Sequence, residues 1–127
     1  MENNKDIITV TEAQKVIMVK KAMIDHSHFE DISAKNIKIT DANLSDLEIE
    51  SAQLGGAFFH NIGMPPKGHQ FYDPNARQRP LKFDDCDLNG SIITNCNLSD
   101  VSIDHCNLKG MKINGILVEA LLQNYQK

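Results

Sequence analysis

Apolar residues recur at every fifth position through most of this 127-residue chain, and that period excludes most folds. In one frame the recurring residues are Val19, Ile24, Phe29, Ala34, Ile39, Leu44, Ile49, Leu54, Phe59 and Met64. A second frame continues through Phe83, Leu88, Ile93, Leu98, Ile103, Leu108, Ile113 and Val118. The residue two places before each of these is also apolar, from Ile17 and Ala22 to Met111 and Ile116, except at Ser27 and Ser91. A helix drifts off any such row because its period is 3.6, and a straight strand because its period is 2. A chain that turns a corner every five residues holds both rows on one side. Each unit then supplies a short extended piece, whose first and third side chains share a face, followed by a turn.

The turn positions carry the residues that turns demand. They include Asp31, Asn36, Asp41, Asp46, Gly56, Asn61, Asp85, Gly90, Asn95, Asp100, Gly110 and Gly115. These types tolerate left-handed backbone or bond back to it. Four units close a square coil. Residues twenty apart then stack, Phe29 on Ile49, Ala34 on Leu54 and Leu88 on Leu108, with neighbouring strands about 4.8 Å apart.

The units ANLSD at 42–46, CDLNG at 86–90 and CNLSD at 96–100 resemble the pentapeptide-repeat family, whose consensus is A(D/N)LXX. The resemblance covers residues 17–64 and 81–120. It implies an all-β fold, a right-handed quadrilateral β-helix (pentapeptide-repeat solenoid) of about four coils. The expected organisation is a single domain with an N-terminal cap at 1–16, repeats at 17–64, an inserted loop at 65–80 and repeats at 81–120. A short C-terminal helix over 117–127 completes it, since Val118, Leu121, Leu122 and Tyr125 have helical spacing. Thr11 is placed to N-cap a short helix starting TEAQK, and the alternative is that residues 10–23 already enter the first coil. The terminal helix either covers the last coil edge or, as in several members of the family, packs on a second copy.

Between the two frames the period stops, in IGMPPKGHQFYDPNARQRP at 62–80. From Met64 to Phe83 the chain advances one residue fewer than four units need, so the segment leaves the coil as a loop. Pro65, Pro66, Pro74 and Pro80 are all the prolines of the protein, and proline withholds the backbone donor that strand pairing needs. Lys67, Arg77 and Arg79 oppose Asp73 alone, which makes the segment cationic in a chain of net charge −4. Loops on rigid scaffolds gather binding residues, which nominates His69, Phe71, Tyr72, Arg77 and Arg79 as contact candidates. The other reading is a structural flap.

Cys86, Cys96 and Cys106 fall in the inner row, where cysteine behaves as a small hydrophobe, and His105 points the other way, so neither zinc nor a disulfide is expected. There is no phosphate-binding glycine loop, no HExxH and no nucleophile elbow. No cofactor and no catalytic residue is expected, and the chain reads as non-enzymatic. The N-terminus lacks a basic start and apolar run, and no stretch is long enough to span a membrane, so a cytoplasmic protein is expected. The net charge and a pI near 5.6 disfavour direct nucleic-acid binding.

These features together predict a protein-interaction module that presents flat walls and one loop to a protein partner. A homodimer through the C-terminal helix is a further expectation. Resemblance to the family adds an alternative, since some members mimic duplex DNA and bind DNA gyrase or topoisomerase. A small-molecule site under the loop is a third.

Overall fold

A computed structural model describes residues 6–125, and its contacts divide the chain into two units, Met1–Ala57 and Phe58–Lys127. The five-residue period is present in the backbone of both. Left-handed φ occurs at Lys21, His26, Asp31, Asn36, Asp41, Asp46, Ser51, Gly56 and Asn61, and again at Asp85, Gly90, Asn95, Asp100, His105, Gly110 and Gly115. Every one of these is the fifth residue of its unit. The left-handed region is costly for most side chains and cheap for glycine, asparagine and aspartate, which explains the composition of the corners.

The corners are of two kinds, and they alternate except at Asn36, whose corner, like those on either side of it, makes no closing bond. At six of them a backbone N–H reaches the carbonyl three residues back: Ser27 to Ile24, Leu47 to Leu44, Ala57 to Leu54, Ser91 to Leu88, Val101 to Leu98 and Met111 to Leu108, at 2.8–3.2 Å. A left-handed third residue with a closed bond defines a type II turn. The corners between them, such as Asp31, Ser51, Asp85, Asn95 and His105, keep the left-handed residue without closing that bond. Apart from Asn36 the backbone repeat is therefore ten residues, two units long.

Side chains pre-form the type II corners. In ANLSD the Asn43 carbonyl Oδ1 accepts the Ser45 N–H at 3.1 Å. Asp87, Asn97 and Asn107 do the same for Asn89, Ser99 and Lys109, at 3.0 Å. The second residue of the unit thus bridges over the apolar third residue and bends the chain before the corner forms. Ser45 and Ser99 add a hydroxyl bond to the same oxygen, at 2.6 and 2.7 Å. Ser27, which breaks the apolar row, earns its place differently: its hydroxyl joins its own N–H in binding the Ile24 carbonyl, at 2.6 Å.

Stacking is where structure and expectation differ. Among the described residues no backbone hydrogen bond joins one turn of the coil to the next; outside the C-terminal end the bonds span three residues. Phe29 is 66% exposed and Leu98 53%, so the partners expected twenty residues away do not cover them. Residues 77–83 and 85–114, with Ile62, instead line an open cavity of about 2490 Å³, where a filled bore was expected. Cys86, Cys96 and Cys106 are exposed for the same reason, each thiol donating to the carbonyl two residues before it, at 3.2–3.3 Å. The corners are set by bonds within a unit, whereas stacking needs contacts across twenty residues.

The helix that Thr11 would cap is absent. Residues 6–20 contain no helix and one bend, at Glu12, and Lys21 is the first corner in frame. The first five residues of the expected cap lie outside the described residues, as do the last two of the C-terminal segment.

The C-terminal end has tertiary structure. Strand β1 (Lys112–Ile113) pairs antiparallel with β2 (Ile116–Leu117), Lys112 opposite Leu117 and Ile113 opposite Ile116. The connection is Asn114–Gly115, with φ of 50 and 81, a two-residue turn of the kind that matches strand twist. Helix α1 follows at Val118–Gln123. The Val118 N–H donates to the Met111 carbonyl at 3.0 Å, and the Glu119 carboxylate accepts the Gly110 N–H at 3.1 Å. Val118, at 8% exposure, is buried here, with Leu108 and Met111 half-buried. The helix is thus tied to the last type II corner, while Leu121, Leu122 and Tyr125 stay exposed.

Candidate functional site

The interruption is a run of tight turns. Pro66 accepts from the His69 N–H at 3.0 Å, His69 from the Tyr72 N–H at 3.0 Å, and Asp73 from the Ala76 N–H at 3.2 Å. Gly68, φ 98, supplies the left-handed residue of the first turn. Pro74 presets the φ of the third, which the Asp73 carboxylate reinforces by accepting the Asn75 N–H at 2.9 Å. Between Asn61 and Asp85 the left-handed residues are Gly63 and Gly68, neither in the five-residue frame, as the residue count requires. Pro65 and Ala76 are half-buried, which fixes the two ends of the run against their surroundings.

These turns bring His69, Phe71 and Tyr72 together. The Phe71 N–H donates to His69 Nδ1 at 3.0 Å, which leaves the ring proton on Nε2, and the two rings sit 5.8 Å apart, tilted by 40°. Phe71 is 70% exposed and Tyr72 also faces solvent. Arg77 and Arg79 come after the third turn and line the cavity with the repeats that follow. The five candidates are therefore two groups: an aromatic and imidazole cluster on the turns, and two guanidinium groups on the segment that leads from them into the repeats.

A further surface pair went unread in the sequence. Phe58 and His60 stack with ring centroids 4.3 Å apart and planes 16° from parallel. They are the second and fourth residues of AFFHN, so strand alternation puts both on the side opposite Phe59. That alternation was the available signal. His28 and Glu30 show the same arrangement in the first unit, 3.8 Å apart as an exposed pair worth little to stability.

Among the described residues no group of three histidine, cysteine or acidic side chains is placed to hold a metal ion. No helix among them is long and apolar enough to cross a membrane.

Residues 82–122 match the family model for pentapeptide repeats, in eight copies. No curated protein and no solved structure matches the chain.

Proposed function

We propose that this chain, a pentapeptide-repeat protein through residues 82–122, is a non-enzymatic protein-interaction module whose contacts lie on the 62–80 interruption. The observation that carries the reading is the contrast between that segment and its flanks. Repeats spend their polar side chains on their own corners, as Asn43, Asp87, Asn97 and Asn107 do. The interruption holds Phe71 and Tyr72 outward on hydrogen-bonded turns, so an aromatic contact surface is presented with little ordering left to lose on binding. Aromatic and arginine side chains are the residues that dominate binding at protein interfaces.

The proposal includes the closed form of the scaffold, a right-handed quadrilateral β-helix of about four coils. Its support is the exposed aliphatic row itself: side chains such as Leu88, Leu98 and Ile103 gain on the order of 2 kcal/mol each when buried. The exposed Leu121, Leu122 and Tyr125 on and after α1 support a homodimer through that end.

Replacing residues 65–79 with a short Gly/Ser link tests the assignment. Affinity capture with the intact and the replaced chain, read by mass spectrometry, is expected to lose its partner in the second case while circular dichroism stays the same. Partners unchanged by the replacement would move the site to the repeat walls or to α1. A change in DNA supercoiling by gyrase at stoichiometric amounts would replace this reading with DNA mimicry.

A further inference from the structure

We infer that Asn114 and Asn89 are sites of spontaneous succinimide formation, and that conversion at Asn114 releases the C-terminal helix. The inference is independent of the proposed partner. Each of these asparagines precedes a glycine, Gly115 and Gly90. Among the described residues neither glycine N–H makes a hydrogen bond, and open space surrounds the position where either would carry a Cβ. The side-chain amides of Asn89 and Asn114 are likewise unengaged. Four other asparagines are held: Asn43, Asn97 and Asn107 use their Oδ1 in the corner bonds, and Asn124 donates its amide to the Ala120 carbonyl at 3.1 Å. None of these four precedes glycine.

The chemistry needs only water. The backbone nitrogen of Gly115 gives its proton to solvent base and attacks Cγ of Asn114; the bond from Cγ to the side-chain nitrogen breaks and ammonia leaves. Water then opens the five-membered imide at one of its two carbonyls. Opening at Cγ gives aspartate on an unchanged backbone. Opening at the main-chain carbonyl gives isoaspartate, with one more carbon in the chain. A glycine on the C-terminal side favours the attack because no side chain obstructs it and the backbone reaches unusual dihedrals.

The two sites differ in consequence. Asn89 lies in one corner among many. Asn114 and Gly115 are the whole connection between β1 and β2, and both carry left-handed φ. An extra main-chain carbon there breaks the pairing of Ile113 with Ile116, and with it the register that lets Val118 donate to Met111 and Glu119 accept from Gly110.

The test is peptide mapping of the full chain aged in mildly alkaline buffer, with isoaspartate counted by enzymatic methyl transfer and α1 followed by limited proteolysis. Conversion at Asn114 and Asn89 is expected to run roughly tenfold faster than at Asn43, Asn97 and Asn107, whose amides are engaged. Cleavage within 118–125 should rise in step with conversion at Asn114, and Asn114→Gln should remove that rise while Asn89→Gln leaves it. Equal rates at all five asparagines would overturn the site assignment. Conversion at Asn114 without added cleavage would overturn the release of the helix.

Discussion

Residues 17–57 and residues 82–115 turn the same corners with different means. Both place a left-handed residue at the end of every unit, and closed and open corners alternate in the second stretch and, apart from Asn36, in the first. In the first stretch a side-chain bridge to the backbone two residues on occurs at Asn43; in the second it occurs at Asp87, Asn97 and Asn107. The family match falls on the second stretch. The bridging asparagine or aspartate is more frequent in that stretch, while the corner itself also forms without it. Met23 and Gln53 occupy the same position in the other closed-corner units of the first stretch; the Leu54 corner closes without a side-chain bridge, and the Ile24 corner is supported instead by the Ser27 hydroxyl.

The largest effect expected is on closure of the coil. Leu98→Asp places a charge in the apolar row, and in a closed coil this costs on the order of 5 kcal/mol, enough to abolish cooperative unfolding. Thermal melts followed by circular dichroism decide it; an unchanged melting curve would mean that the second stretch stays open, as Leu98 is placed here. Next is the corner. Gly90 has φ 76, and Gly90→Val forces a β-branched side chain into the left-handed region at a cost of about 2 kcal/mol, read as a lower urea midpoint.

Smaller effects separate the two stretches directly. Asn97→Ala removes a bridge and should cost about 1 kcal/mol by urea denaturation, whereas Ser33→Ala, in a unit with no such bridge, should change stability by less than about 0.5 kcal/mol. In the opposite direction, Gln53→Asn should install a bridge ahead of the Leu54–Ala57 turn and stabilise by about 0.5 kcal/mol. If Asn97→Ala and Ser33→Ala cost the same, the bridge is not what distinguishes the stretches.

The corners were legible because their cause is local. A left-handed residue leaves its mark in composition, and Asp31, Asn36, Asp100 and Gly110 are read as turns from residue type alone. Alternation was hidden, because whether a corner closes its hydrogen bond depends on dihedrals that residue type does not specify; His26 and His105 are both left-handed, yet the first sits in a closed corner and the second in an open one. The hairpin at Asn114–Gly115 was missed for another reason. MKING fits the five-residue frame, and that fit masked the strongest short-range hairpin signal in the chain. In the interruption the residue count showed a departure from the coil, but the division of its candidates came from turn hydrogen bonds, which set His69, Phe71 and Tyr72 apart from Arg77 and Arg79. Twenty-residue stacking was inferred from hydrophobic pattern, which states that a row wants burial without naming what covers it.

A ten-residue backbone repeat also constrains how such a chain can lengthen. Duplicating one unit of five puts two closed corners, or two open ones, side by side, a junction the alternating stretches do not contain. Duplicating ten leaves each junction as it was. The spacing of Cys86, Cys96 and Cys106, all in units that end in a closed corner, is the pattern that growth in pairs would leave. Insertions and deletions within the repeats should therefore be tolerated in even numbers of units, and an odd change should be confined to places where the coil is already broken, as it is between Asn61 and Asp85.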